Sequence, residues 1–349
     1  MLIREDVNLV VSRKILTLVT IKILPELSDV QSKLLAQTSL AQIRSRPDVF
    51  VHQAADICQY LAKIYEKENN WKDAAELLIT IDLRKFSHEY AFENYINIAR
   101  LYLEDGQASN AETYIKKATK FLITVDNELL QIRYKKMFTQ ILEYQNKFVE
   151  AALQYYELSV MISLPQEICL SFYKNSFECA VLSSIGPTRF RMFSLLYRDE
   201  RSTDLAEFLI LRKLCFSHIL TPKDISEIYG MLQPNKQNAK NSVSIFHLAI
   251  LEHNIFGVSK VYKNIFIDSL GYILGVDART AESAVANMIS EDRIHGSIDQ
   301  IDNLIHFRTT SNAPAITMFA RENLIKLFYC EIDHMLYYHM LTDSRTFKP

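Results

Sequence analysis

Glycine and proline are scarce, at seven and eight residues in a chain of 349. These are the strongest interrupters of regular backbone, so their shortage favours long helices joined by short links. No uncharged apolar stretch approaches the ~18 residues that a membrane-spanning helix needs. The best candidate, MLIREDVNLVVSRKILTLVTIKIL, is broken by Arg4, Glu5, Asp6, Arg13, Lys14 and Lys22 and lacks a small-residue cleavage site. It reads as a soluble amphipathic helix, with no membrane partner. Neither sign of charge dominates: 39 Lys and Arg against 41 Asp and Glu leave −2. No global field therefore draws the chain to nucleic acid or an anionic membrane. The five cysteines, Cys58, Cys169, Cys179, Cys215 and Cys330, form no C-x-x-C pair and sit in apolar helical patterns. Reduced core thiols in a cytoplasmic and nuclear protein are the expectation.

Motifs for chemistry are also missing. There is no Gly-rich phosphate loop, G-x-S-x-G elbow, H-E-x-x-H or H-x-H. Glu331 and His334 form a lone i, i+3 pair without further ligands, which reads as a solvated helix face. No cofactor, metal site or catalytic residue is expected.

What is present is a repeat. ICQYLAKIYEKENNWKDAAELLITI (57–81), NYINIARLYLEDGQASNAETYIKKA (94–118) and KKMFTQILEYQNKFVEAALQYYELS (135–159) share one layout: helix, short polar turn, helix. Aligning the turns superposes Asn69, Gly106 and Asn146, residue types that tolerate a left-handed backbone at a helix end. The same alignment stacks Ala74, Ala111 and Ala151, where a small side chain lets paired helices cross closely. Ala54, Ile57, Cys58, Leu61, Ile64 and Tyr65 follow helical i, i+3, i+4 spacing along one face, and Trp71, Ala74, Ala75, Leu78 and Ile81 mark another. Such hairpins stack into a solenoid. Their spacings of 37 and 40 residues indicate a loose TPR-like or HEAT-like array.

Further helices run to about residue 230. The stretch LQPNKQNAKNSV (232–243) has no apolar periodicity and marks a boundary. Beyond it come a helix, a short helix ended by Gly275, a third helix capped by Asp277 with Ala281, Val285, Met288 and Ile289 on one face, and the alternating pair RIHGSIDQIDNLIHFR. Three helices and a hairpin make a winged helix. The fold class is therefore mostly α: a helical-hairpin solenoid arm (1–165), a second domain (166–308) with a helical part (166–242) and a winged helix (243–308), and a linker with a C-terminal helix (309–349).

A two-residue turn at Asp302-Asn303 would face Ile301 to Leu304 and Asp299 to His306. Ile294, Ile298, Ile305 and Phe307 then share a core face with Gly296 and Gln300, while Ser297, Asp299, Ile301, Leu304, His306 and Arg308 share the other. Ser297, Asp299 and His306 resemble a triad only in composition, since no strained turn or oxyanion donor accompanies them. An Asp–His cross-strand pair explains them better.

A DNA-reading winged helix needs Lys and Arg against phosphate. From Tyr262 to Arg308 the basic residues are Lys263, Arg279, Arg293 and Arg308. They face Asp268, Asp277, Glu282, Glu291, Asp292, Asp299 and Asp302, a net −3. Direct DNA binding is disfavoured by charge. Apolar Ile301 and Leu304 at the wing tip call for a cover, either a protein partner or the chain's own C-terminal helix. In that helix Ile325, Phe328, Ile332 and Met335 form a seam suited to another helix, within the chain or in an assembly. Lys116, Lys117 and Lys120, with Arg133, Lys135 and Lys136, form a basic stripe. It reads as a solvated face or as a dock for an acidic partner.

A helical solenoid running into a winged helix resembles the PCI proteins, scaffold subunits of the proteasome lid, the COP9 signalosome and eukaryotic translation initiation factor 3. VNLVVSRKILT, LAKIYEKENNWKDAAELL, IARLYLEDGQASNAETYI, KFVEAALQYYELS and GSIDQIDNLIHF most closely resemble the subunit 4 family of the COP9 signalosome, in order over roughly residues 7–308. The resemblance implies a non-catalytic scaffold whose winged helix and C-terminal helix join other signalosome subunits, both PCI and metalloprotease-fold. It also implies an arm that helps engage cullin-RING ligases, from which the complex removes a ubiquitin-like modifier. A scaffold in the proteasome lid or another PCI complex is the alternative. The chain departs from the family in starting inside the helical arm, in carrying His247-Leu248 where a charged pair is expected, and in fading past Arg308.

Overall fold

A computed structural model describes residues 9–44, 46, 48–204, 208–232 and 242–308. Two compact units are present, dividing between Cys179 and Ala180.

In the first unit, α1 (Leu9–Leu18) runs through one π-helical turn, Val19–Ile23, into a short segment ending at Glu26. It is followed by α2 (Asp29–Ile43), α3 (Val51–Lys67), α4 (Trp71–Ile79), α5 (His88–Glu104), α6 (Ala108–Thr119), α7 (Glu128–Tyr144), α8 (Phe148–Ser159) and α9 (Gln166–Leu182), whose last residues lie past the division. The three aligned turns behave alike. Asn69, Gly106 and Asn146 have φ of 59°, 78° and 60°. In each, the next residue's amide returns to a carbonyl five positions back: Asn70 to Tyr65, Gln107 to Tyr102 and Lys147 to Leu142, at 2.8–2.9 Å. This double-bonded helix ending satisfies carbonyls that would otherwise be orphaned and reverses the chain in few residues.

The stacked alanines Ala74, Ala111 and Ala151 are each 0% exposed, so their helices cross with no room for a larger side chain. Ile57, Cys58, Leu61, Ile64, Ala75 and Leu78 are buried as the periodicity requires, while Ala54, Tyr65 and Trp71 are half-buried against them. Polar links join successive repeats: Lys33 to Glu68 (2.6 Å), Arg100 to Glu66 (2.8 Å) and Arg133 to Glu93 (3.0 Å). Each is partly exposed and contributes ~1 kcal/mol at most, so the apolar layers hold the stack and these pairs fix its register.

The second unit contains α10 (Pro187–Arg198), a 3₁₀ segment (Glu200–Asp204), α11 (Phe208–Cys215) and α12 (Pro222–Met231). Thr221 caps α12 in a reciprocal box with Asp224. The winged helix follows as α13 (Ser242–Val261), β1 (Asn264–Phe266), α14 (Ile267–Leu274), α15 (Ala278–Ser290), β2 (Gly296–Asp299) and β3 (Leu304–Phe307). Gly275 ends α14 at φ 69°, and the Asp277 carboxylate accepts the Thr280 amide to start α15. Ala281, Val285 and Met288 are fully buried and pack with Ile255, Leu270 and Ile305.

The sheet has three strands in the order β1-β3-β2, both pairings antiparallel. β1 was not expected from sequence. Three residues are too short to show a period, and their partner lies about forty positions away.

Candidate protein-interaction site

The wing departs from the expected register. Asp299 pairs with Leu304, Ser297 with His306 and Gly296 with Phe307, so four residues, Gln300–Asn303, close the hairpin. The reason is backbone chemistry. A two-residue turn of the favoured kind needs positive φ at both central positions, and here only Asn303 (53°) has it. Asp299 stabilises the longer loop by accepting the amides of Ile301 (2.9 Å) and Asp302 (3.2 Å) through Oδ1. The expected Asp299–His306 pair is therefore not formed. His306 faces Ser297 on one side and Asn264 on the other, with Nδ1 2.9 Å from the Asn264 Oδ1.

The slip is two residues, one full strand period, so each side chain keeps its face. Ile294, Ile305 and Phe307 are buried and Ile298 is half-buried on the core side. On the other side Ile301 stands 94% exposed at the tip. Leu304 is half-buried opposite the exposed Phe266, a neighbour that sequence reasoning missed with its strand. Tyr272, on α14, is 90% exposed.

Charge inside this unit is organised. Arg293, beside the wing, binds Glu252 of α13 and also Glu291 at 2.7 Å. Glu252 is 5% exposed and Arg293 has little exposed side chain, so this cation is engaged internally and withdrawn from the surface. The following residues of α13 are buried too. His253 points Nε2 at the His218 carbonyl (2.9 Å), and Asn254 holds both the amide and carbonyl of Leu220. Burial, reinforced by the Arg189 guanidinium, pushes His253 down to about 3. Arg189 is itself fully buried, donates to the Val181 carbonyl at 3.0 Å, and is lowered to about 10 by desolvation. On α13, His247 and Leu248 are both exposed.

Of the basic stripe, Lys116, Lys117 and Lys120 are all exposed. Lys116 contacts Glu112 at 2.6 Å, Lys117 lies over the Tyr114 ring at 4.3 Å, and Arg133 is paired with Glu93. The seam residues Ile325, Phe328, Ile332 and Met335, with Glu331 and His334, lie outside the described residues. So does most of the expected boundary at 232–243. Among the described residues, no group of three or more His, Cys, Asp and Glu side chains is placed to hold a metal. Nor is any helix among them long and apolar enough to cross a membrane.

Residues 1–166 match the family described as PSMD12/CSN4, N-terminal, and residues 224–309 match the PCI domain. The COP9 signalosome complex subunit 4 of Drosophila melanogaster is 36% identical over 318 residues, covering 90% of this chain and 78% of that protein. That of Arabidopsis thaliana is 38% identical over 319 residues, covering 88% and 80%. The chain belongs to the COP9 signalosome subunit 4 family. The Dictyostelium discoideum member is 36% identical over 316 residues, covering 88% of this chain and 79% of that protein. A mostly helical repeat unit and a PCI winged helix are thus the architecture of this subunit 4 family member, as its sequence led us to expect.

Proposed function

We propose that this chain is a non-catalytic scaffold subunit of the COP9 signalosome, within the complex that removes a ubiquitin-like modifier from cullin-RING ligases. The observation that carries the reading is the 36–38% identity to subunit 4 proteins across about nine-tenths of the chain. The winged helix agrees with it physically. Arg279 is the one cation on α15, Arg293 is engaged by Glu252 and Glu291, and the wing tip is apolar. That surface repels phosphate and suits protein.

In this reading the wing residues Ile301, Leu304, His306 and Asp299 contact neighbouring subunits. The seam Ile325, Phe328, Ile332 and Met335 enters a shared helical assembly. The arm helps position the cullin substrate, with Lys116, Lys117 and Lys120 as its contact to an acidic partner. The complex acts in the cytoplasm and nucleus.

Affinity purification with mass spectrometry tests this. Co-purification of the other signalosome subunits is expected; recovery of proteasome-lid or initiation-factor subunits in their place overturns it. Within the complex, Ile301→Asp is the clean wing variant, because Ile301 touches little of its own chain, whereas Leu304 packs beside Phe266.

A further inference from the structure

Between α15 and the wing runs a groove lined by Glu282, Ala286, Asp299, Gln300, Ile301 and His306. It occupies the space between the third helix and the wing, where a nucleic-acid-binding winged helix meets its phosphate backbone. Here the chemistry is inverted. Glu282 projects from α15 and is oriented by Gln300, whose amide donates to Glu282 Oε1 at 2.6 Å. One carboxylate oxygen is thereby fixed, and the group is held at the groove by a neutral donor rather than by a cation. Asp299 is held in the opposite wall by the loop amides it caps. Asp302, on the same loop, is exposed.

None of the described residues that line the groove is a Lys or Arg. Arg293 is committed to Glu252 and Glu291, and Arg279, about one turn before Glu282 on α15, is exposed and does not line the groove. The floor offers Ala286, exposed and without a long side chain, and the wall ends in the 94% exposed Ile301. Two carboxylates beside a short apolar floor match a strand or loop carrying Lys or Arg next to an aliphatic residue.

From this, and resting on the scaffold reading above, we propose that the groove receives a basic, partly apolar segment of a neighbouring protein chain. The charge complementarity selects a basic segment over an acidic one. It also selects a protein over a nucleic acid, since the same carboxylates repel phosphate.

The test uses the full chain assembled with its natural partners and a photoreactive phenylalanine analogue in place of Ala286. Before irradiation, co-purification of the unsubstituted chain is checked. If no signalosome subunit accompanies it, the scaffold reading falls and this proposal with it. In an assembled complex, a cross-link from position 286 to a Lys- or Arg-bearing segment of another chain supports the proposal. A cross-link to an acidic or uncharged segment, to this chain's own residues 309–349, or to nothing overturns it and leaves the scaffold reading standing. Glu282→Lys, on a solvent-accessible position of α15, is expected to leave the fold intact, to weaken capture of that partner roughly tenfold and to flatten its salt dependence. Unchanged capture and salt dependence would be decisive against a basic occupant.

Discussion

At the scale of single residues, the informative side chains are the polar ones inside the second unit. Arg293 and Glu252 are a nearly buried pair joining the segment before the wing to α13. Removing one partner leaves a buried charge uncompensated, a change costing about 3–5 kcal/mol in comparable sites, whereas replacing both by apolar residues of similar volume is often close to neutral. Arg293→Met is therefore expected to lower the denaturation midpoint of the second unit sharply, and Arg293→Met with Glu252→Leu to recover most of the loss. A double variant no more stable than the single would show that the pair itself, not the orphaned charge, supplies the stability. His253 makes a pH prediction. Its folded value of about 3 lies below the ~6.5 of an unfolded histidine. The unfolded state therefore takes up a proton first as pH falls. The stability of neutral His253 is complete above about pH 6.5 and drains away between there and pH 3, by at most about 1.4 kcal/mol per pH unit. Arg189, Lys260 and His218 all oppose a positive charge at this point. Urea midpoints taken from pH 7 to pH 4 should fall more steeply for the native chain than for His253→Gln. Parallel curves would remove His253 as the cause.

At the scale of elements, the hairpin repeats were largely legible and the wing only half so. Asn69, Gly106 and Asn146 carry their conformation in their own identities, because few residues tolerate a left-handed helix end. The burial of Ala74, Ala111 and Ala151 follows from a period that local sequence also displays. The wing's faces were legible because alternation survives any even slip. Its register was not, because Asp299's preference for capping the loop amides competes with a tight turn at Asp302-Asn303, and no pattern of hydrophobicity reports that competition. Strand β1 and the α15 groove were hidden for another reason: each exists only once distant segments meet. Gly296 pins the observed register. A Cβ there would lie 2.5 Å from the His306 carbonyl oxygen, an overlap with backbone that no rotamer relieves. Gly296→Ala is expected to loosen β2 from β3, seen as faster hydrogen exchange at the Arg308 amide, which donates to the His295 carbonyl across that pairing, while the Phe307 amide, bonded to Lys263 on the β1 side, is less affected. Exchange as slow as in the native chain would mean that the hairpin absorbs the methyl without parting.

At the scale of the whole molecule, stability and assembly separate along the chain. The first unit buries its apolar layers among its own repeats, around Ile98, Leu101 and Ile141, and around Leu24, Phe50 and Ile57. The second has its own centre at Val258, Leu270, Val285 and Ile305. Residues 315–349 carry apolar Ile325, Phe328, Ile332 and Met335 at alternating spacings of three and four, a seam that we expect to serve a helix of another chain. Deleting residues 315–349 should therefore leave the thermal unfolding of the remaining chain within a few degrees of the native value, while co-purification with the other signalosome subunits drops severalfold. Both readouts matter, because they separate two roles for one seam. A large fall in melting temperature would place the seam against the chain's own units, and normal incorporation would show that assembly runs through the wing without it.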